Sequence, residues 1–194
     1  MNISNLDQAV EVFNQGGIVV FPTDTVWGIG CRVDMLEAVE KLFEIRKRPL
    51  EKAVPVLVSS IEQAKKYYDN LPADIEDKLL KCFWPGGLTV IYKCKADLIP
   101  DRVRGGGETI GLRMPNYQNL LYLINIVGGP ILGPSANFSG EATPTKYAEL
   151  NQELLSQVDF VVEGECGGNK ASTVVDCTVD PWKIIRQGAI DIVK

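Results

Sequence analysis

The chain has 194 residues, of which 45% are hydrophobic and 23% charged, and its net charge is 20 − 25 = −5. This excludes a disordered polypeptide and fits one domain spanning residues 1–194. No apolar run reaches the roughly 18 residues that a membrane helix needs, and residues 1–7 carry no basic patch before an apolar stretch, so the expectation is a cytoplasmic protein with no secretory signal and no membrane partner.

Ser4, with Asp7 three residues on, reads as the cap of a first helix. Leu6, Ala9, Val10 and Phe13 continue it at helical spacing and Gly16-Gly17 stop it. Residues 18–21 form a continuous apolar run, a buried strand that Pro22 ends. Leu36, Val39, Leu42, Phe43 and Ile45 form the apolar stripe of a helix over 36–45. Residues 54–58 read as a buried strand, 61–68 and 74–83 as helices, Pro85-Gly86-Gly87 as a turn and 88–92 as a strand. A strand over 110–113, a helix over 120–127 and short strands at 131–133, 160–162, 173–175 and 183–186 complete the pattern. Strands and helices mix without a strict βαβ rhythm, so the predicted fold is one α/β domain around a twisted, mixed sheet. The loosest stretches, 101–108 and 164–169, are glycine-rich and read as connections, with a lid as the alternative.

Histidine is absent. This removes the Ser-His-Asp triad, the Cys-His pair, His-ligated metals and imidazole acid–base chemistry. The five cysteines are odd in number and contain no C-x-x-C, so scattered reduced thiols are expected. The acidic total argues against bulk, non-specific nucleic-acid binding and leaves room for a local basic patch. Neither Gly-rich nucleotide signature, G-x-x-x-x-G-K-[ST] or G-x-G-x-x-G, occurs in its structural setting.

Polar clusters at the ends of predicted strands remain. Pro22-Thr23-Asp24-Thr25 follows the first strand, where open α/β sheets place ligands; it reads equally as a Thr/Asp turn. Arg46-Lys47-Arg48-Pro49, with Lys52 after it, complements a helix dipole or clamps an anion. Gly133-Pro134-Ser135-Ala136-Asn137, with Thr143 beyond, offers hydroxyl, amide and backbone N–H groups to a phosphate or ribose. Ser172-Thr173 opens a late strand and Arg186-Gln187-Gly188 lies near the terminus.

Taken in order, PTDTVWG, RKRP, IGLRMP, GPSANFSG, STVVD and RQG resemble the YrdC-like family of threonylcarbamoyl-AMP synthases, over about residues 16–189. The resemblance implies a twisted open sheet with a concave, electropositive cavity, in the family's short, single-domain form. It implies an activity that joins L-threonine, bicarbonate (or CO2) and ATP into threonylcarbamoyl-AMP and releases pyrophosphate. A downstream transferase would use the product for threonylcarbamoyladenosine at tRNA position 37. By position, Thr25, Arg113 and Ser172, with Gly133 alongside, match the L-threonine contacts. Arg46, Arg48, Ser135 and Asn137 match a catalytic tetrad around the ATP phosphates, and Lys52, Thr109, Thr143 and Arg186 match further ATP contacts. The tetrad's usual lysine is Arg46 here, which keeps the charge in a bulkier, forked group. Magnesium is expected to travel with ATP, since no carboxylate cage is visible and no protein-held metal is expected. The alternatives are an RNA-binding module of the same fold, with a weak tRNA or RNA contact, and a relative that adenylates a different carbamate.

Overall fold

The computed structural model describes residues 3–192. Helix α1 (Ile3–Asn14) begins one residue before Ser4, so Ser4 lies inside its first turn and not ahead of it. Its buried Leu6, Ala9 and Phe13 face helix α7 (Gln118–Val127), and Gly16 closes the turn after it with φ +79°. Strands β1 (Val19–Phe21) and β2 (Gly28–Gly30) pair antiparallel, and β7 (Phe160–Val161) adds to β1 in parallel. β2 escaped the sequence reading because its Gly-Ile-Gly carries no strand pattern.

A second sheet runs in the order β6–β3–β5–β4–β8–β9. Its strands are β3 (Val56–Leu57), β4 (Leu88–Lys93), β5 (Thr109–Arg113), β6 (Ile131–Leu132), β8 (Thr173–Asp176) and β9 (Lys183–Arg186). Parallel and antiparallel neighbours mix, as expected, but there are two sheets where one was predicted. Helix α2 (Leu36–Ile45) matches the predicted bounds, and α3 (Ile61–Tyr67) is capped by the Ser60 hydroxyl, which accepts from Gln63 N–H at 3.0 Å. The helix predicted over 74–83 is α4 (Ala73–Ile75) and α5 (Lys81–Phe83) joined through a π-helical turn, Glu76–Leu80. Two short helices, α6 (Asp101–Arg104) and α8 (Gln152–Leu155), are too brief to leave a periodic stripe.

Side-chain alternation gives the large sheet two unlike faces. Val56, Leu88, Val90, Ile110, Leu112 and Val175 point to one side and are buried with Tyr68, Leu79 and Leu80 of the helical layer. The Tyr68 hydroxyl donates to Val90 C=O at 2.7 Å and so satisfies itself inside that core. Thr89, Ile91, Thr109, Gly111, Arg113 and Val174 point to the other side. The small sheet covers only the β3–β6 end of that second face, where Leu57 and Ile131 pack with Val19, Phe21, α1 and α7. The β5–β4–β8 part stays open and becomes the floor of a cleft.

The two sheets are stitched by one antiparallel track. Ile29 N donates to Pro134 O (3.0 Å), Leu132 N to Cys31 O (2.8 Å), Val33 N to Pro130 O (3.2 Å) and Ala136 N to Trp27 O (2.8 Å). The approach is so close that a Cβ on Gly30 would lie 1.9 Å from Leu132 O. Gly30→Ala therefore has no room in either strand and is expected to lower the melting temperature by about 5 °C or more, whereas Gly129→Ala, whose Cβ would meet nothing nearer than 4.0 Å, leaves it unchanged. Differential scanning calorimetry of the two variants checks this.

Candidate functional site

The loop 22–26 owes its shape to Thr23. Its hydroxyl accepts from Thr25 N (3.0 Å) and Val26 N (3.1 Å) and donates to Val26 O (2.8 Å), a side-chain-locked turn. Thr25 Oγ1 and the Asp24 carboxylate are thereby presented to Arg113 at the end of β5. Arg113 Nη1 donates to Thr25 Oγ1 at 2.8 Å, Nη2 pairs with Asp24 Oδ1 at 2.5 Å, and Nε donates to Gly86 O at 3.0 Å. Burial pushes the Arg113 guanidinium below the usual arginine range, the Asp24 carboxylate pulls it back up, and the Arg186 charge adds to the lowering. Beside it, Ser172 Oγ shares a hydrogen bond with Thr89 Oγ1 (2.8 Å) and accepts from Arg186 Nη2 (3.1 Å), while Arg186 Nε donates to Ser172 O (3.0 Å). The glycines of the 164–169 stretch lie flat on this loop. Gly167 N donates to Thr23 O at 2.9 Å, and a Cβ on Gly168 would stand 2.9 Å from Asp24 O. The absence of a Cβ at Gly167 and Gly168 is thus a packing requirement.

A second cluster forms where α2 ends. Arg46 is the C-cap residue, and Lys47 then turns the chain with φ +50°. Arg46 is only 3% exposed, and no carboxylate pairs with it among the described residues. Its Nε donates to Asn137 O at 3.1 Å, its own carbonyl accepts from Ser139 N at 2.8 Å, and its Nη1 is buried with no partner. Burial, then the Arg48 charge, pushes its pKa down to about 10, so it stays cationic at neutral pH. Arg48 folds onto the following turn, Nε to Lys52 O at 3.0 Å and Nη2 to Ala53 O. Asn137 Nδ2 donates to Phe138 O (3.0 Å) and Glu141 O (2.9 Å), which fixes the amide orientation and leaves Oδ1 buried without a donor. The sheet-stitching track holds the two clusters side by side, since Trp27, two residues after Thr25, pairs with Ala136, between Ser135 and Asn137.

Residues 11–188 match the Sua5/YciO/YrdC family, whose description reads telomere recombination. The chain belongs to that family. Among its relatives are the threonylcarbamoyl-AMP synthase of Bacillus subtilis, 36% identical and covering 97% of this chain and 55% of that one, and that of Photobacterium profundum, 30% identical and covering 96% and 100%. The solved structure of Pyrococcus abyssi Sua5 complexed with L-threonine is 32% identical, with a TM-score of 0.89 over 94% of this chain and 54% of that one. The chain thus spans about half the length of its Bacillus and Pyrococcus relatives.

The expected site residues of this family member fall into place unequally. Thr25, Arg113, Ser172 and Arg186 converge, as do Arg46 and Asn137. Ser135 is half-buried and bridges Gly28 across the track. Gly133 is pressed so close to Leu57 that a Cβ would lie 2.3 Å from its Cγ. Lys52 is exposed on the turn that Arg48 grips. Thr143 is half-buried and precedes Pro144, whose carbonyl accepts from Trp27 N at 3.0 Å. Thr109 lies at the far end of β5 from Arg113 but on the same face, about 13 Å away at strand rise. Sequence reasoning included Asp24 in a candidate cluster but gave it no role, and left out Thr89 and Gly86. Thr89 had a signal, a polar residue in an otherwise apolar strand; Gly86 acts through its carbonyl, which no side-chain pattern betrays.

The thiols stand apart from this chemistry. All five are free, and burial pushes Cys177 up to about 12 and Cys31 higher still, so neither is a thiolate at neutral pH.

An unpaired buried guanidinium costs stability that an anion restores. Arg46→Met is expected to raise the melting temperature of the ligand-free protein and to erase the stabilisation that pyrophosphate gives the wild type. Thermal melts with and without pyrophosphate test both halves. A lower ligand-free melting temperature, or an unchanged pyrophosphate shift, would contradict the assignment of Arg46 as an anion receptor.

Proposed function

We propose that this chain makes threonylcarbamoyl-AMP and pyrophosphate from L-threonine, bicarbonate (or CO2) and ATP, as a nucleotidyltransferase that supplies tRNA threonylcarbamoyladenosine formation. The observation that carries the reading is the junction of a carboxylate receptor, Arg113 with Thr25 and Ser172, to a buried unpaired cation, Arg46, across one strand pairing. Relatives named for this synthesis, and a relative seen with L-threonine, support the choice of substrates.

The chemistry needs little side-chain proton transfer. The threonine ammonium loses a proton to water, the neutral amine bonds to the carbon of CO2, and a second N–H proton leaves to water to give a carbamate. A carbamate oxygen then bonds to the α-phosphorus of ATP while the bond to pyrophosphate breaks. Arg113 would hold the threonine carboxylate in two-pronged fashion. Arg46 Nη1 would gain the acceptor it lacks from a phosphate oxygen, and Asn137 Oδ1, an acceptor, would take a nucleotide or water O–H. Arg48 and Lys52 would meet the outer phosphates. Thr109, at the distal end of the floor, would contact the nucleotide along the same face. Alignment of this kind is worth about 7–11 kcal/mol of barrier, and placed cations stabilise the charge that grows on the departing pyrophosphate. Magnesium would enter as part of the ATP substrate and share the phosphate charge with these arginines. Among the described residues no helix is long and apolar enough to cross a membrane.

Purified protein given ATP, L-threonine and labelled bicarbonate is expected to release pyrophosphate only when threonine is present. Release that ignores threonine, or that needs carbamoyl phosphate instead, would overturn the reading. Arg48→Ala is expected to lower turnover by about a hundredfold or more, as the loss of one charge-stabilising donor does, while the protein still folds, with a small drop in melting temperature from the two carbonyl contacts it gives up. Steady-state kinetics of that variant check it.

A further inference from the structure

Three groups hold the Arg113 guanidinium, and only one of them is charged. Asp24 gives it Oδ1; Oδ2 has no hydrogen-bond partner among the described residues. The Asp24 side chain is 14% exposed, and it lines a cavity of about 650 Å³ together with Thr25, Asn116, Asn169 and Lys170. The carboxylate therefore does two things at once. It balances Arg113 from inside the fold and keeps an anionic oxygen free of any partner beside a space large enough for an amino acid. Arg113, buried behind the cavity wall that Asp24, Thr25 and Gly86 form, keeps one N–H free on each terminal nitrogen, since its five donors meet three acceptors. A cationic N–H pair beside an anionic oxygen is the complement of an α-amino acid, whose carboxylate and ammonium are carried on one carbon.

We propose that the Asp24 carboxylate is the counter-ion for the amino group of the substrate, so that Asp24 and Arg113 together recognise a zwitterion. The proposal rests on the threonine reading above and adds the residue that selects an amine. Asp24 is held for this task by its surroundings. Thr23 locks the turn on one side, and Gly167 and Gly168 press on its backbone from the other, where a Cβ on Gly167 would lie 3.2 Å from Asp24 Cα. Lys170 lines the same cavity and is exposed.

The test separates recognition of the amine from mere support of Arg113. Calorimetric titration compares L-threonine with 2,3-dihydroxybutyrate, which carries a hydroxyl in place of the amine, on the wild type and on Asp24→Asn. The wild type is expected to prefer threonine by about tenfold or more, the size of a hydrogen bond to a charged group. In Asp24→Asn the two ligands are expected to bind within about twofold of each other. A variant that weakens both ligands equally and keeps the preference makes Asp24 only a support for Arg113 and overturns the proposal. If Asp24→Asn does not fold, the wild-type ratio decides: a clear preference supports the ammonium contact, and equal binding removes it. A wild type that binds neither compound overturns the threonine reading itself.

Discussion

The strand pairing between residues 27–33 and 130–136 governs the geometry of the cleft. It fixes where one sheet stands on the other and, with that, where the cleft opens. It also sets two motifs more than a hundred residues apart into adjacent positions. Gly30 makes it feasible, because a Cβ there would meet the Leu132 backbone, and Gly28 leaves room for the Phe21 ring beside it. The core explains the rest of the arrangement. Leu57 and Ile131 cover one end of the large sheet's second face, and the remaining half of that face carries the polar side chains, with Thr89 and Arg113 buried and Thr109 half-buried.

On that frame the electrostatics are lopsided. Arg46, Arg48, Arg113 and Arg186 are all pushed down by desolvation, and Asp24 is the sole carboxylate in ion-pair contact with any of them among the described residues. Arg46 and Arg113 are buried, Arg48 is half-buried and Arg186 exposed, and like charges with so little compensation raise the free energy of the empty protein. That is the expected condition of a site completed by an anionic ligand, in which pre-placed cations need no rearrangement when charge develops. The carbonyl oxygens that Arg48 and Arg46 hold act as supports. They aim guanidinium groups without cancelling their charge.

The long elements were legible from sequence because their apolar spacing is unambiguous. α2 was readable to the residue, and β4, β5 and β9 nearly so. β2 was not, because its glycines exist for a backbone approach that appears only in three dimensions. The split into two sheets was hidden for the same reason: it depends on non-local pairing. In the site, motif order brought out the arginines, Thr25 and Ser172. Asp24 was passed over, although it sits within the same motif, because its part follows from an ion pair with a residue 89 positions away. Asn137 was read as a phosphate ligand, yet its amide N–H groups are spent on two carbonyls and only an acceptor is left over.

The claim on which everything turns is that the lone Arg46 cation and the Arg113 receptor serve one bound pair of substrates. A crystal structure with a non-hydrolysable ATP analogue and L-threonine addresses it directly. The account predicts a phosphate oxygen within hydrogen-bond distance of Arg46 Nη1 and the amino-acid carboxylate on Arg113, in the same cleft. Phosphates bound elsewhere, with Arg46 Nη1 still lacking a partner, would contradict it.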